Sequence, residues 1–190
     1  ATPLLILAFG RAYHRSQAAK NSDCLDGERP HDVTDEGAPV IICGFGRFGH
    51  SVGRLLRGQG FACSVLDRDA DQVDLLRELG IPIHYGDAAR PDLLEVAGAA
   101  EAKVLVVALK DPDTSLRIAN TAHELFPHLQ IFLRAHGRLD AYEFLDAGEE
   151  LIYRDTLDSS LRMGTDILDH LGMSSEAAKR ATELYRQGDE

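Results

Sequence analysis

The segment Gly44-Phe45-Gly46-Arg47-Phe48-Gly49 separates the apolar run Val40-Ile41-Ile42-Cys43 from a stretch with helical apolar spacing. A G-x-G-x-x-G placed there restricts what can follow. Gly44 permits a tight turn, Gly46 lets a phosphate approach the backbone, and Gly49 lets the helix lie against the strand. The helix start then presents free N–H groups and a positive dipole end to an anion. A short apolar run that stops at a glycine is the pattern of a parallel strand buried on both faces.

The rest of the chain repeats that unit. A helix is expected from Arg47 to Gln59 with Val52, Leu55 and Leu56 inward, then a strand from Phe61 to Leu66 closed by Asp67. Asp69–Leu79 reads as a helix stopped by Gly80, and Ile81–Tyr85 as a third strand ending at Gly86-Asp87. A short helix over Leu93–Ala97 leads to an aliphatic strand over Lys103–Leu109. Asp111-Pro112 opens the next helix with an N-cap acid and a first-turn proline, and Pro127 stops it. Leu129–Leu133, Asp140–Asp146 and Glu150–Tyr153 give a fifth strand, a helix and a sixth strand. Strict alternation with short links implies an α/β fold, a Rossmann-like doubly wound parallel sheet of six strands with right-handed crossovers.

Beyond the sixth strand only helical patterns remain. Leu157, Leu161, Gly164, Leu168 and Leu171 form one apolar stripe, and Ser174 to Gln187 is amphipathic. The stripe has two readings: a helix packed on its own sheet, or a crossover helix lying on a second subunit with Gly164 allowing close approach. Upstream, residues 11–38 read as a polar linker, and 1–10 as an apolar tail followed by Arg11, Arg15 and Lys20. That order is the reverse of a secretory signal. It leaves a short packing tail or the cut end of a transmembrane helix with cytoplasmic positive flanks. The expected organisation is therefore 1–10 tail, 11–38 linker, 39–155 nucleotide-binding domain and 156–190 helical segment.

Asp67 lies 23 residues after Gly44, at the end of the second strand, where a carboxylate can bind both hydroxyls of a ribose. A carboxylate there repels a 2′-phosphate and disfavours an NADP-type ligand, although Arg68 beside it carries the opposite charge. Asp87, followed by Ala88, stands at the carboxyl edge of the sheet, where it could accept from an adenine amino group or cap a helix. The net charge of −11 is a poor match for nucleic acid. Cys24, Cys43 and Cys63 are odd in number and far apart, which suits neither a disulfide framework nor a zinc site. The eight histidines show no metal-ligand spacing, and only His50 adjoins the glycine loop. No nucleophile-elbow, Walker or lysine–serine constellation occurs, and too little chain follows the sixth strand for a substrate domain. Nucleotide binding without catalysis is the reading this supports; a small NAD-dependent oxidoreductase is the rival from another class.

Further residues carry a resemblance. Ile42 to Gly49, Leu66-Asp67-Arg68-Asp69, Tyr85-Gly86-Asp87-Ala88, Phe126-Pro127-His128-Leu129 and Arg134-Ala135 together resemble the cytosolic regulatory domain of Kef-type potassium efflux antiporters. These belong to the KTN, or RCK, class of TrkA-N-like domains. The resemblance runs from about Val33 to Arg186. It implies a homodimer and AMP or NAD(H) bound through residues 44–49, Asp67, Arg68, Asp87 and Ala88. It also implies a membrane transport domain on the same polypeptide, so that 1–10 ends a transmembrane segment at the cytoplasmic face of the bacterial inner membrane. Glutathione would be the inhibitory effector and its S-conjugates the activators, held between subunits by Arg54 and Arg154, with His50 nearby. A terminal asparagine of the family is replaced by a residue near Asp189. A quinone-reductase-like ancillary subunit is a further possible partner. An RCK domain that senses nucleotide alone remains the alternative within the class.

Overall fold

The computed structural model describes residues 32–33, 37–78, 80–81 and 83–189, without the side chain of Asp189. The expectations for 1–10, for most of 11–38, for Cys24 and for the Asp189 side chain fall outside these residues.

The elements run β1 Val40–Cys43, α1 Arg47–Gly58, β2 Cys63–Asp67, α2 Ala70–Glu78, β3 His84–Tyr85, α3 Pro91–Val96, β4 Val104–Val107, α4 Pro112–Leu125, β5 Gln130–Ala135, α5 Arg138–Asp146, β6 Ile152–Arg154, α6 Leu157–His170 and α7 Ser175–Asp189. The six strands form one sheet in the order β3-β2-β1-β4-β5-β6, every pair parallel. The order reverses at β1, so a crevice opens beyond the carboxyl ends of β1 and β4, where doubly wound sheets bind ligands.

Alternation along the strands divides the core in two. Ile41 and Cys43 of β1, with Leu105 and Val107 of β4, face a cluster completed by Leu94, Ile118 and Phe144 from α3, α4 and α5. Val40 and Ile42, with Val106, face the opposite cluster, where Phe48, Val73 and Leu76 come from α1 and α2. With helices on both faces, each central strand must be apolar throughout, which is why these strands read as unbroken aliphatic runs.

Three local expectations are modified. Strand β3 is only His84–Tyr85, because its ladder with β2 is confined to Leu66↔His84 and Asp67↔Tyr85. Leu55 is 67% exposed. The inward face of α1 is made by Gly49 and Gly53, so the helix axis lies close to the sheet and Leu55 rotates outward. Helix α6 buries no residue and packs chiefly on α7. The helix does not cover its own sheet, and of its expected apolar stripe Leu157, Leu161, Gly164 and Leu168 are half-buried while only Leu171 is exposed. The α4 start is as expected: Asp111 accepts from the Thr114 N–H at 3.0 Å, and Pro112 opens the helix.

Candidate nucleotide-binding cleft

The glycine loop is held from three sides. Gly44 has φ +89°, a left-handed conformation that a side chain would strain, and its N–H donates to Leu66 O at 2.8 Å. A Cβ at Gly49 would stand 2.1 Å from Gly44 O, so the third glycine is required by the contact between helix and strand end. Asp67 Oδ2 accepts from the Phe45 N–H at 2.8 Å, and Oδ1 accepts from the Asp69 N–H at 2.9 Å. The carboxylate expected to meet a ribose thus also clamps the loop to β2.

Beside the loop is an open cleft of ≈ 760 Å³. Of the expected ligand residues, Gly44, Gly46, Arg47, Asp67, Arg68, Asp87 and Ala88 line it. Phe45, Phe48 and Gly49 do not: Phe45 and Gly49 are buried, and Phe48 packs against the α1–α2 side of the core. Gly46 begins α1 without a side-chain cap, leaving the first turn of that helix facing the cleft. Asp87 Oδ1 accepts from the Ala89 N–H at 3.0 Å, whereas the N-cap of α3 is Arg90. Its local role is therefore a tight turn that presents the carboxylate at the cleft edge.

The effector residues are distributed differently. His50 and Arg54 share α1, with the His50 ring edge-on to Phe45 at 5.4 Å. Burial, and then the Arg54 charge, push the His50 pKa below its ordinary value. Arg154 is on β6, the edge strand opposite β3, paired in register with Ala135. None of the three lines the cleft.

Several residues of the site were not singled out from the sequence as ligand groups, among them Lys110, Gln72 and Arg134. Gln72 donates from Nε2 to Phe45 O at 2.7 Å and to Asp67 Oδ2 at 3.3 Å, locking the loop to α2. Arg134 lines the cleft from β5 while only 7% exposed. The signal for Arg134 was an ionisable residue inside an aliphatic strand; Gln72 carries none. Cys43, fully buried behind Gly44, has a thiol pushed up to about 12, by burial first and then by Asp67 and Asp87. It is an inert packing group at neutral pH. Among the described residues there is no cluster of metal-ligating side chains, and no helix is long and apolar enough to cross a membrane.

The sequence profile of the TrkA-N domain matches residues 40–154, from the first residue of β1 to the last of β6. The chain belongs to the TrkA-N domain family. The profile of the potassium efflux system KefB C-terminal domain matches residues 159–190, within α6 and α7. Among curated proteins, the glutathione-regulated potassium-efflux system protein KefC of Escherichia coli O139:H28 is 40% identical over 188 residues, covering 98% of this chain. This TrkA-N chain spans 29% of the length of that relative. Among solved structures, the AMP-bound form of the Shewanella denitrificans Kef CTD is 46% identical, with TM-score 0.71, over 79% of this chain and 91% of that one. The TrkA-N domain of the inner membrane protein ybaL from Escherichia coli, 23% identical with TM-score 0.60 over 66% of this chain and 94% of its own, shares the fold. The resemblance to Kef-type RCK regulatory domains is borne out.

Proposed function

We propose that this TrkA-N chain is the ligand-gating domain of a potassium:proton antiporter, and that AMP or NAD(H) occupies its cleft. The observation that carries the reading is the Gly44–Gly46 turn with Asp67 fixed beside it, in a chain 46% identical to an AMP-bound Kef domain. In this reading the phosphate meets the first turn of α1, Asp67 takes the ribose hydroxyls, and Asp87 stands at the adenine end. The protein's own groups bind and orient; no residue is assigned a chemical step.

The same reading makes the domain a homodimer attached to a membrane transport domain at the cytoplasmic face of the bacterial inner membrane, with a quinone-reductase-like ancillary subunit as a further partner. The α6 face supports dimerisation: Met163, Ile167 and Leu171 are 62%, 51% and 76% exposed and recur every fourth residue. Glutathione as inhibitor, and its conjugates as activators, would be gripped by Arg54 and Arg154 from two subunits. Guanidinium suits that peptide's carboxylates, and a chain of net charge −11 needs local cations to hold an anion.

Calorimetric titration of the purified chain with AMP and with NADH, then with glutathione at saturating AMP, tests the reading in order. Binding of either nucleotide with native-mass dimers is expected. No binding of AMP or NADH would remove it. Nucleotide binding without a glutathione response would leave the alternative, an RCK-type domain governed by nucleotide alone.

A further inference from the structure

The α6–α7 hairpin leaves the sheet domain through a single turn, Asp155–Thr156, and that turn is fastened from below. Asp155 N donates to Ala135 O at 2.9 Å, and Asp155 Oδ2 accepts from Arg134 Nη2 at 2.6 Å. Both side chains are largely buried, 7% and 16% exposed. The same guanidinium donates through Nη1 to Ala108 O at 3.3 Å, just past β4, and its carbon lies 5.6 Å from the centre of the Phe48 ring on α1. It also faces the cleft that Gly44, Gly46 and Ala108 line. Among the described residues its Nε has no hydrogen-bond partner.

A buried ion pair with one unpaired nitrogen is a poor way to gain stability, since apolar residues of like volume often do as well or better. As a mechanical link it has a clear use. We propose that Arg134 is a positioning residue that ties the wall of the nucleotide cleft to the turn launching α6, so that a phosphate in the cleft resets the attitude of the α6–α7 hairpin. This rests on the nucleotide reading above. A phosphate near the first turn of α1 competes with Asp155 for the one guanidinium they share, and an arginine between two anions has two discrete arrangements. The hairpin responds as a unit, because Thr165 and Thr182 are hydrogen-bonded at 2.6 Å and Arg186 pairs with Asp158 at 2.7 Å.

Hydrogen–deuterium exchange of the whole chain, with AMP raised to saturation for each protein, tests the link. In the native chain AMP should protect residues 44–49 and also change exchange over 157–173. In Asp155→Ala the loop protection should persist while the AMP-dependent change over 157–173 falls roughly threefold or more, and Asp155→Glu should restore it. A purely structural Asp155 would instead raise α6 exchange at every AMP concentration and leave its AMP dependence intact, which overturns the proposal. Loop protection without any change over 157–173 in the native chain overturns it too, while the nucleotide reading stands. Absence of loop protection in the native chain removes both. If circular dichroism shows Asp155→Ala unfolded, the same comparison is read from Asp155→Asn, which keeps a hydrogen-bond acceptor for Arg134 and removes only the charge.

Discussion

Strand β1 and helix α6 are both rich in aliphatic residues, yet all four residues of β1 are buried and none of α6 is. The difference lies in what each element faces. β1 sits mid-sheet with helices above and below, so both of its faces are consumed within the chain. Among the described residues α6 lies chiefly on α7, and Met163, Ile167 and the C-cap Leu171 remain outward. A sequence pattern states that a face is apolar; the topology decides whether its partner is in the same chain. Stability of the sheet domain should therefore be insensitive to the hairpin's outer face, and highly sensitive to its own core.

The largest contrast should come from paired truncations. Phe144→Ala, in the core beneath α5, should cost about 3–5 kcal/mol in a urea titration. Ile167→Ala, half exposed on α6, should change the same transition by no more than about 0.5 kcal/mol in dilute, monomeric protein. Equal losses at both sites would mean that the hairpin and the sheet share one core.

Next in size is the cleft. Asp67→Ala removes an acceptor from the Phe45 and Asp69 amides and from the ribose expected there. AMP affinity measured by calorimetry should weaken by about 1.5–3 kcal/mol, the range for hydrogen bonds to a charged group. Unchanged affinity would separate the carboxylate's loop clamp from any ligand role. The fold-level effect should stay smaller than that of Phe144→Ala, because Gln72 still holds Phe45 O.

These two experiments also mark what the sequence makes legible. The alternating elements and the glycine turn could be read because parallel strands buried on both faces appear as short aliphatic runs, and because Gly44 and Gly49 answer to local geometry. Leu55 was misplaced because helical spacing names an apolar residue without showing that glycines let the helix turn a different face to the sheet. Arg134 and Gln72 were not legible as site residues. Their partners Asp155 and Phe45 are 21 and 27 residues away, so their function exists only once the sheet has been assembled.

Charge placed on the hairpin should alter assembly without altering the fold. Met163→Asp with Ile167→Asp introduces two carboxylates on outward positions, and light scattering should report monomers in place of the proposed dimer. Circular dichroism and AMP affinity should remain native, since neither residue packs in the sheet cores. Persistent dimers would move the interface elsewhere.

The smallest effect expected is at the pair Arg186–Asp158, which joins α7 to α6 at 2.7 Å with Asp158 80% exposed. An exposed pair gains little in water and costs side-chain freedom, so Asp158→Ala should cost about 0.2–1 kcal/mol. Screening makes the prediction sharper: at about 1 M salt, where charges interact over roughly 3 Å, the difference from native should vanish. The buried pair Arg134–Asp155 provides the contrast. Removing Asp155 strands a guanidinium in low dielectric, a cost of about 3–5 kcal/mol that salt barely reaches. Two ion pairs of nearly equal length would then differ several-fold in effect, one sensitive to salt and the other not, with burial as the main cause. A salt-insensitive loss at Asp158 would place that carboxylate in a covered interface, and the outer face of the hairpin would no longer be open in solution.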